Sequence, residues 1–234
     1  MRRTLLLVAL IFPTALTWLY FVALADGQNL SPTQQAVYVV GKILQFVIPL
    51  IDWYLWDRQR PAAALFARRG AGPGVIFGLL VGLGLIGFYF LALRGTPAMA
   101  ATAAQVRLKA GQLGVASPLA FLALAVFLSV IHSALEEYYW RWYAFGQLRT
   151  QMPWTLAATI AGLAFMSHHT ILLHVYLPGQ FWQKTVPLSL AIAVGGFVWA
   201  WLYQRSGSLV GSWISHVLID AAIFVVGYDL LRPA

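Results

Sequence analysis

The sequence predicts an all-α protein, a polytopic transmembrane helix bundle with a polar intramembrane cavity. Three observations carry that reading. Of 234 residues, 61% are hydrophobic and only 9% are charged, where a soluble domain averages about 25% charged. The apolar residues come in runs of about 20, the length that crosses a hydrocarbon core of about 30 Å. The basic residues collect in the short breaks between those runs.

Seven candidate spans follow in order: 4–24, 34–56, 74–93, 118–142, 153–177, 185–204 and 208–230. The first follows Arg2 and Arg3, and Ala23-Leu24-Ala25 resembles a cleavage site. A signal core has about 7–15 apolar residues, so this longer run reads as a retained span. Lys42 and Asp52 of the second span could snorkel toward opposite interfaces and receive no role. The third begins after Arg69-Gly70-Ala71-Gly72-Pro73, a turn signal. The segment 95–116 is less apolar and holds Arg107 and Lys109; it is an interfacial helix or part of an eighth span. Ser117 and Pro118 suit an N-cap and a first helical position. Arg205-Ser206-Gly207 separates the last two spans. No internal repeat or soluble domain stands out, so residues 1–234 read as a single integral membrane domain.

The 15 basic and 7 acidic residues give a net charge of +8. Contact with anionic lipid explains that balance better than nucleic acid, for which no binding is expected. Basic residues favour a cytoplasmic N-terminus, with Arg2, Arg3, Arg58, Arg60, Arg68, Arg69, Arg141, Arg149 and Arg205 on the inner side. Arg94, Arg107, Lys109, Lys184 and Arg232 fall outside. The expected location is a bacterial inner membrane; the oligomeric state stays open. The absence of cysteine excludes disulfides, thiolate metal sites and a cysteine nucleophile.

Within the fourth span stand Glu136, Glu137 and Arg141. A charge at mid-membrane is unfavourable by about 2.5–3.5 kcal/mol on insertion scales, so such a cluster implies a polar cavity with a function. A structural ion pair is the bland alternative. Residues four apart share a helix face, so Glu137 can pair with Arg141 while Glu136 aligns with His132. Glu137 would then orient and neutralise, leaving Glu136 free to act as a base. Further polar residues lie on the fifth span, His168 and His169 after Phe165, and on the seventh, His216 and Asp220 four apart. Taken singly, His132, His168 and His174 read as packing histidines. The aromatic run Tyr138, Tyr139, Trp140, Trp142, Tyr143 and Phe145 suits either a substrate groove or an interfacial belt. Gly195 and Gly196 read as permitting close helix contact.

In this order, Glu136-Glu137-Tyr138-Tyr139-Trp140-Arg141, Phe165-Met166-Ser167-His168-His169 and His216-Val217-Leu218-Ile219-Asp220 resemble the motifs of the CAAX-protease and bacteriocin-processing (Abi) family of intramembrane endopeptidases. The likeness covers about residues 117–230, which would form the catalytic core. It implies hydrolysis of a peptide bond in a membrane-anchored protein or peptide by an activated water. Carried over, Glu136 is the base, His169 helps hold the water, Glu137 and Arg141 support it, and His216 with the residue at 220 steadies the oxyanion. Asp220 stands where CAAX-cleaving members carry asparagine. An ionised aspartate cannot donate, so Asp220 is either protonated in this apolar setting or, the preferred expectation, orients His216 by accepting its N–H. The metal-free reading requires no cofactor. Glu136, His169 and His216 could alternatively hold zinc, although the H-E-x-x-H spacing is missing.

Two other function classes compete. Intramembrane Glu, His and Asp also build the proton relays of transporters, although no repeated halves support that here. A non-catalytic immunity or scaffold protein on the same fold is the other.

Overall fold

Eight helices and no strand make up the described residues of the computed structural model, which are 2–24, 31–56, 65–177 and 179–232. They are α1 (Arg2–Ala23), α2 (Pro32–Trp56), α3 (Ala71–Leu93), α4 (Pro97–Gln112), α5 (Pro118–Leu148), α6 (Trp154–Tyr176), α7 (Phe181–Ser206) and α8 (Val210–Leu231). All but α4 are long and apolar enough to cross a membrane, and the protein is an integral, multi-pass membrane protein. Helix α4, which fills most of the segment 95–116, has 16 residues. At about 1.5 Å per residue it is too short to cross alone, so the spans number seven among the described residues. Ala103 of α4 packs on Tyr89 and Leu230. Arg107 donates to the Leu230 carbonyl at 3.0 Å, and Lys184 donates to that of Ala98 at 3.2 Å.

The helix boundaries follow local chemistry. Ser117 caps α5 by accepting from the Ala120 N–H at 3.3 Å. Gly70, at φ 78°, takes the left-handed turn that starts α3. Arg68 and Arg69 are exposed beside that turn; Arg58, Arg60 and Ala25 lie outside the described residues.

Small residues set the spacing of two helix pairs. A Cβ at Gly74 of α3 would collide with the backbone of Gly211 on α8, and one at Gly78 would sit 2.9 Å from the Ser215 Cα. On α7, a Cβ at Gly196 would come within 3.1 Å of the Gly162 Cα on α6. Backbones this close gain van der Waals contact that the lipid-exposed alternative lacks. Gly196 thus has the packing role expected of it, and Gly195 faces the Trp199 ring at 3.9 Å.

Two sequence expectations change. Asp52 does not snorkel: it is buried and accepts from Arg2 Nε at 3.1 Å, Arg2 Nη2 at 3.0 Å and Gln147 Nε2 at 2.9 Å. The start of α1 and the ends of α2 and α5 are tied there, because a buried carboxylate needs donors to offset its lost hydration. The fourth span also runs on past 142 to Leu148. Its aromatic stretch is interior to the bundle, so no interface ends the helix. Tyr139, Trp140, Trp142, Tyr143 and Phe145 are buried in the main core, neither a lipid-facing belt nor a groove lining, while Tyr138, the remaining aromatic of that run, lines a cavity.

Candidate active site

Helix α5 supplies most of the polar side chains. It departs from α-helical winding at Phe127–His132 and Tyr138–Phe145, where i→i+5 turns flank the acidic pair. Such π-turns redirect side chains and recur at functional sites. His132 and Glu136 share one stripe, with His132 Nε2 3.4 Å from Glu136 Oε1. Glu137 and Arg141 share the neighbouring stripe, with Arg141 Nε 3.4 Å from Glu137 Oε2. Glu136, Glu137 and Arg141 are all buried. Arg141 therefore belongs to the interior and not to a row of inner-face basic residues.

Two more helices complete the cluster. From α6, His168 Nε2 reaches within 3.6 Å of Glu136 Oε1. His169, next to it, turns Nδ1 to the Phe165 carbonyl at 3.0 Å. A carbonyl only accepts, so His169 is protonated at Nδ1, and in the neutral ring Nε2 carries the lone pair. From α8, His216 reaches between the two glutamates: Nδ1 hydrogen-bonds Glu137 Oε1 at 3.0 Å, and Nε2 lies 3.7 Å from Glu136 Oε2. Asp220 Oδ2 is likewise 3.7 Å from the same Nε2, so neither Asp220 nor Glu136 is within hydrogen-bond range of it. The nearer orienting carboxylate for His216 is therefore Glu137, not Asp220.

Aromatic rings wall the charges. The Arg141 guanidinium carbon lies 4.7 Å from the Phe165 centroid and 4.9 Å from that of Trp199. Trp199 also stacks on His216 at 4.1 Å and is itself held by donating to Ser215 Oγ at 2.9 Å. Trp140 lies parallel to His168 at 5.8 Å. Gly196 also lies beside Arg141, where a Cβ would make an ordinary contact with Nη2 at 3.6 Å. This wall keeps water from the Glu137–Arg141 pair, which strengthens their attraction.

All six residues singled out in the sequence, Glu136, Glu137, Arg141, His169, His216 and Asp220, meet in this one region. Three others joined them. His168 and His132, taken singly as packing histidines, both touch Glu136. Trp199 gave no signal, being one tryptophan of ten. The i→i+4 spacing to Glu136 was a usable clue for His132; only the α5–α6 packing reveals His168. His174 is exposed beside the Phe181 ring and stays apart.

A cavity of about 990 Å³ adjoins the cluster, between α2, α5 and the start of α8. Its polar lining includes Lys42, Tyr38, His132, Glu137 and Tyr138, and the remainder is mainly apolar. Val39, Ile43, Leu50 and Phe127 line it while also being exposed on the outer surface. The groove therefore opens sideways between α2 and α5, toward where lipid would lie.

The donor set also fits a metal. Ligand atoms of Glu136, His168 and His169 lie within 4.8 Å of one another. Two imidazoles and a carboxylate are a catalytic zinc set, and an Nδ1–H anchored on a carbonyl is usual for a ligating histidine. The cluster includes His168 where the sequence suggested His216.

Residues 118–222 match a family model described as type II CAAX prenyl endopeptidase, Rce1-like. Over these residues, a little under half of the chain, the sequence is similar to that family. The match runs from the first residue of α5 into α8 and contains every residue of the cluster. That similarity points to a membrane protease of the CAAX type acting on a membrane-associated protein. No curated protein and no solved structure matches the chain.

Proposed function

We propose that Glu136 activates a water that hydrolyses a peptide bond of a membrane-anchored protein or peptide entering from the lateral groove. One observation carries this reading. The Glu136 carboxyl is met within 3.4–3.7 Å by imidazoles from three helices, His132, His168 and His216. Contacts of this length in a free enzyme commonly tighten when substrate arrives.

In this scheme Glu136 takes a proton from water, and the hydroxide adds to the scissile carbonyl carbon. The unshared Nε2 of His169 accepts a hydrogen bond from the water's second O–H, which stays on the oxygen, and holds its direction. Negative charge then develops on the carbonyl oxygen. His216 supports it as an imidazolium: Nδ1–H donates a hydrogen bond to the Glu137 carboxylate, whose charge favours the doubly protonated ring, and Nε2–H is left as the donor to the oxyanion. A preorganised donor of this kind contributes about 3–4 kcal/mol. Collapse of the intermediate breaks the C–N bond, and the proton held by Glu136 passes to the leaving amine. His132 suits the relay, because it touches Glu136 and lines the groove where that amine would leave. The products are a carboxylate and an amine.

A second reading has its own support in the spacing of Glu136, His168 and His169. These three would hold a divalent ion such as zinc, which would polarise the water and the carbonyl. The metal-free scheme is preferred because it uses His216 and Glu137 as they stand.

Membranes carrying the protein or its Glu136→Gln variant, compared by C-terminal proteomics, test the proposal. Cleavage products should disappear with Glu136→Gln, by at least about 10²-fold, while the folded protein persists. Undiminished cleavage by a folded variant would refute it. Phenanthroline treatment separates the two readings: only the metal reading expects the chelator to stop cleavage.

A further inference from the structure

Lys42 is a cation that the family match does not cover, and it stands in the wall of the groove. It lies ten residues from Pro32 and fourteen from Trp56 in α2. At about 1.5 Å per residue those distances are about 15 and 21 Å, farther than a lysine side chain reaches. The ammonium therefore does not reach the level of either end of α2, and the snorkelling considered from the sequence does not explain it. Among the described residues no carboxylate lies within salt-bridge distance of its ammonium. Its neighbours are the Tyr38 and Phe46 rings, with centroids 5.6 and 5.9 Å away. An intramembrane lysine so placed is unfavourable, and ring faces offset only part of that.

The resident carboxylates do not need it. Glu137 already has Arg141 and His216, and Glu136 is surrounded by three imidazoles. Lys42 shares its cavity with His132, Glu137 and Tyr138, so whatever it binds lies beside the reacting groups. The rest of the lining, Ile43, Val47, Leu128, Leu135 and Val210 among it, suits an apolar body. Lipid phosphates sit at the interface, about 15 Å away along α2 by the same rise, which favours an anion carried inward by the substrate.

Resting on the endopeptidase reading, we propose that Lys42 is a carboxylate-binding residue, whose ammonium receives the free carboxylate of an otherwise apolar peptide in the groove. It thereby fixes how far from that carboxylate the peptide is cut. A charge-assisted contact of this kind is worth about ten- to a hundredfold in affinity.

The test is binding, so that it does not depend on turnover. Full-length Glu136→Gln protein in phosphatidylcholine nanodiscs is titrated with a fluorescent S-farnesylated heptapeptide, as the free acid and as the C-terminal amide. The acid should bind about ten- to a hundredfold tighter. Adding Lys42→Met, or Lys42→Gln should the first not fold, should abolish the preference, and Lys42→Arg should keep most of it. Equal binding of acid and amide, no binding of either, or a preference that survives loss of Lys42 would each overturn the proposal. So would phosphatidylglycerol discs that suppress acid binding only when Lys42 is present, because the site would then be a lipid-phosphate site. Failure of the hydrolytic scheme shows separately, as cleavage that persists in Glu136→Gln with Lys42 intact.

Discussion

Replacing Glu137 with glutamine separates the charge of this side chain from its shape. Glu137 is fully buried, 3.4 Å from Arg141 Nε and 3.0 Å from His216 Nδ1. At an effective dielectric of about 20, charges about 3.4 Å apart attract by about 5 kcal/mol. Breaking a buried pair from one side typically costs about 3–5 kcal/mol, because the other charge is left uncompensated. Glu137→Gln should therefore lower unfolding stability by about 3–5 kcal/mol, read by denaturant titration in bicelles. The double variant Glu137→Gln with Arg141→Met removes both charges and should recover most of that loss, since methionine fits between Phe165 and Trp199. Activity should not recover in the double variant. His216 would still lack its carboxylate, and cleavage should stay down by about 10- to 100-fold. A single variant within about 1 kcal/mol of the parent, or losses that simply add in the double variant, would refute the buried-pair argument.

Two further outcomes are expected. His168→Ala should reduce cleavage at least about tenfold with little change in fold, because its imidazole meets Glu136 directly; unaltered cleavage would return His168 to a packing role. Gly74→Leu should force α3 away from Gly211 and destabilise by at least about 1–3 kcal/mol; a neutral result in thermal unfolding would mean the α3–α8 seam is looser than the glycines indicate.

Much of this was open to reading from the chain. Span lengths follow from hydrophobic runs, which the thickness of hydrocarbon dictates whatever the packing. The pairing of Glu137 with Arg141 follows from helical spacing, since residues four apart meet on one face without any tertiary contact. The ordered motifs on three spans gave Glu136, His169, His216 and Asp220. Helix packing decided the rest. His168 and His169 point about 100° apart on α6, so which one meets Glu136 depends on how α6 is rotated against α5. Asp52 finds Arg2 and Gln147 only because the start of α1 and the ends of α2 and α5 come together. The aromatic run of α5 had the composition of an interface and is interior, because composition does not say what surrounds a helix.

By itself, the sequence determined that the protein is a bundle of apolar helices and that acid, base and imidazole are stored at membrane depth. Those properties are local: they depend on run length and on residue spacing within one helix. Only the tertiary structure decided which imidazoles touch Glu136, which carboxylate orients His216, and that Lys42 faces the same groove. Those are distances between side chains on different helices, and no periodicity within a single helix encodes them.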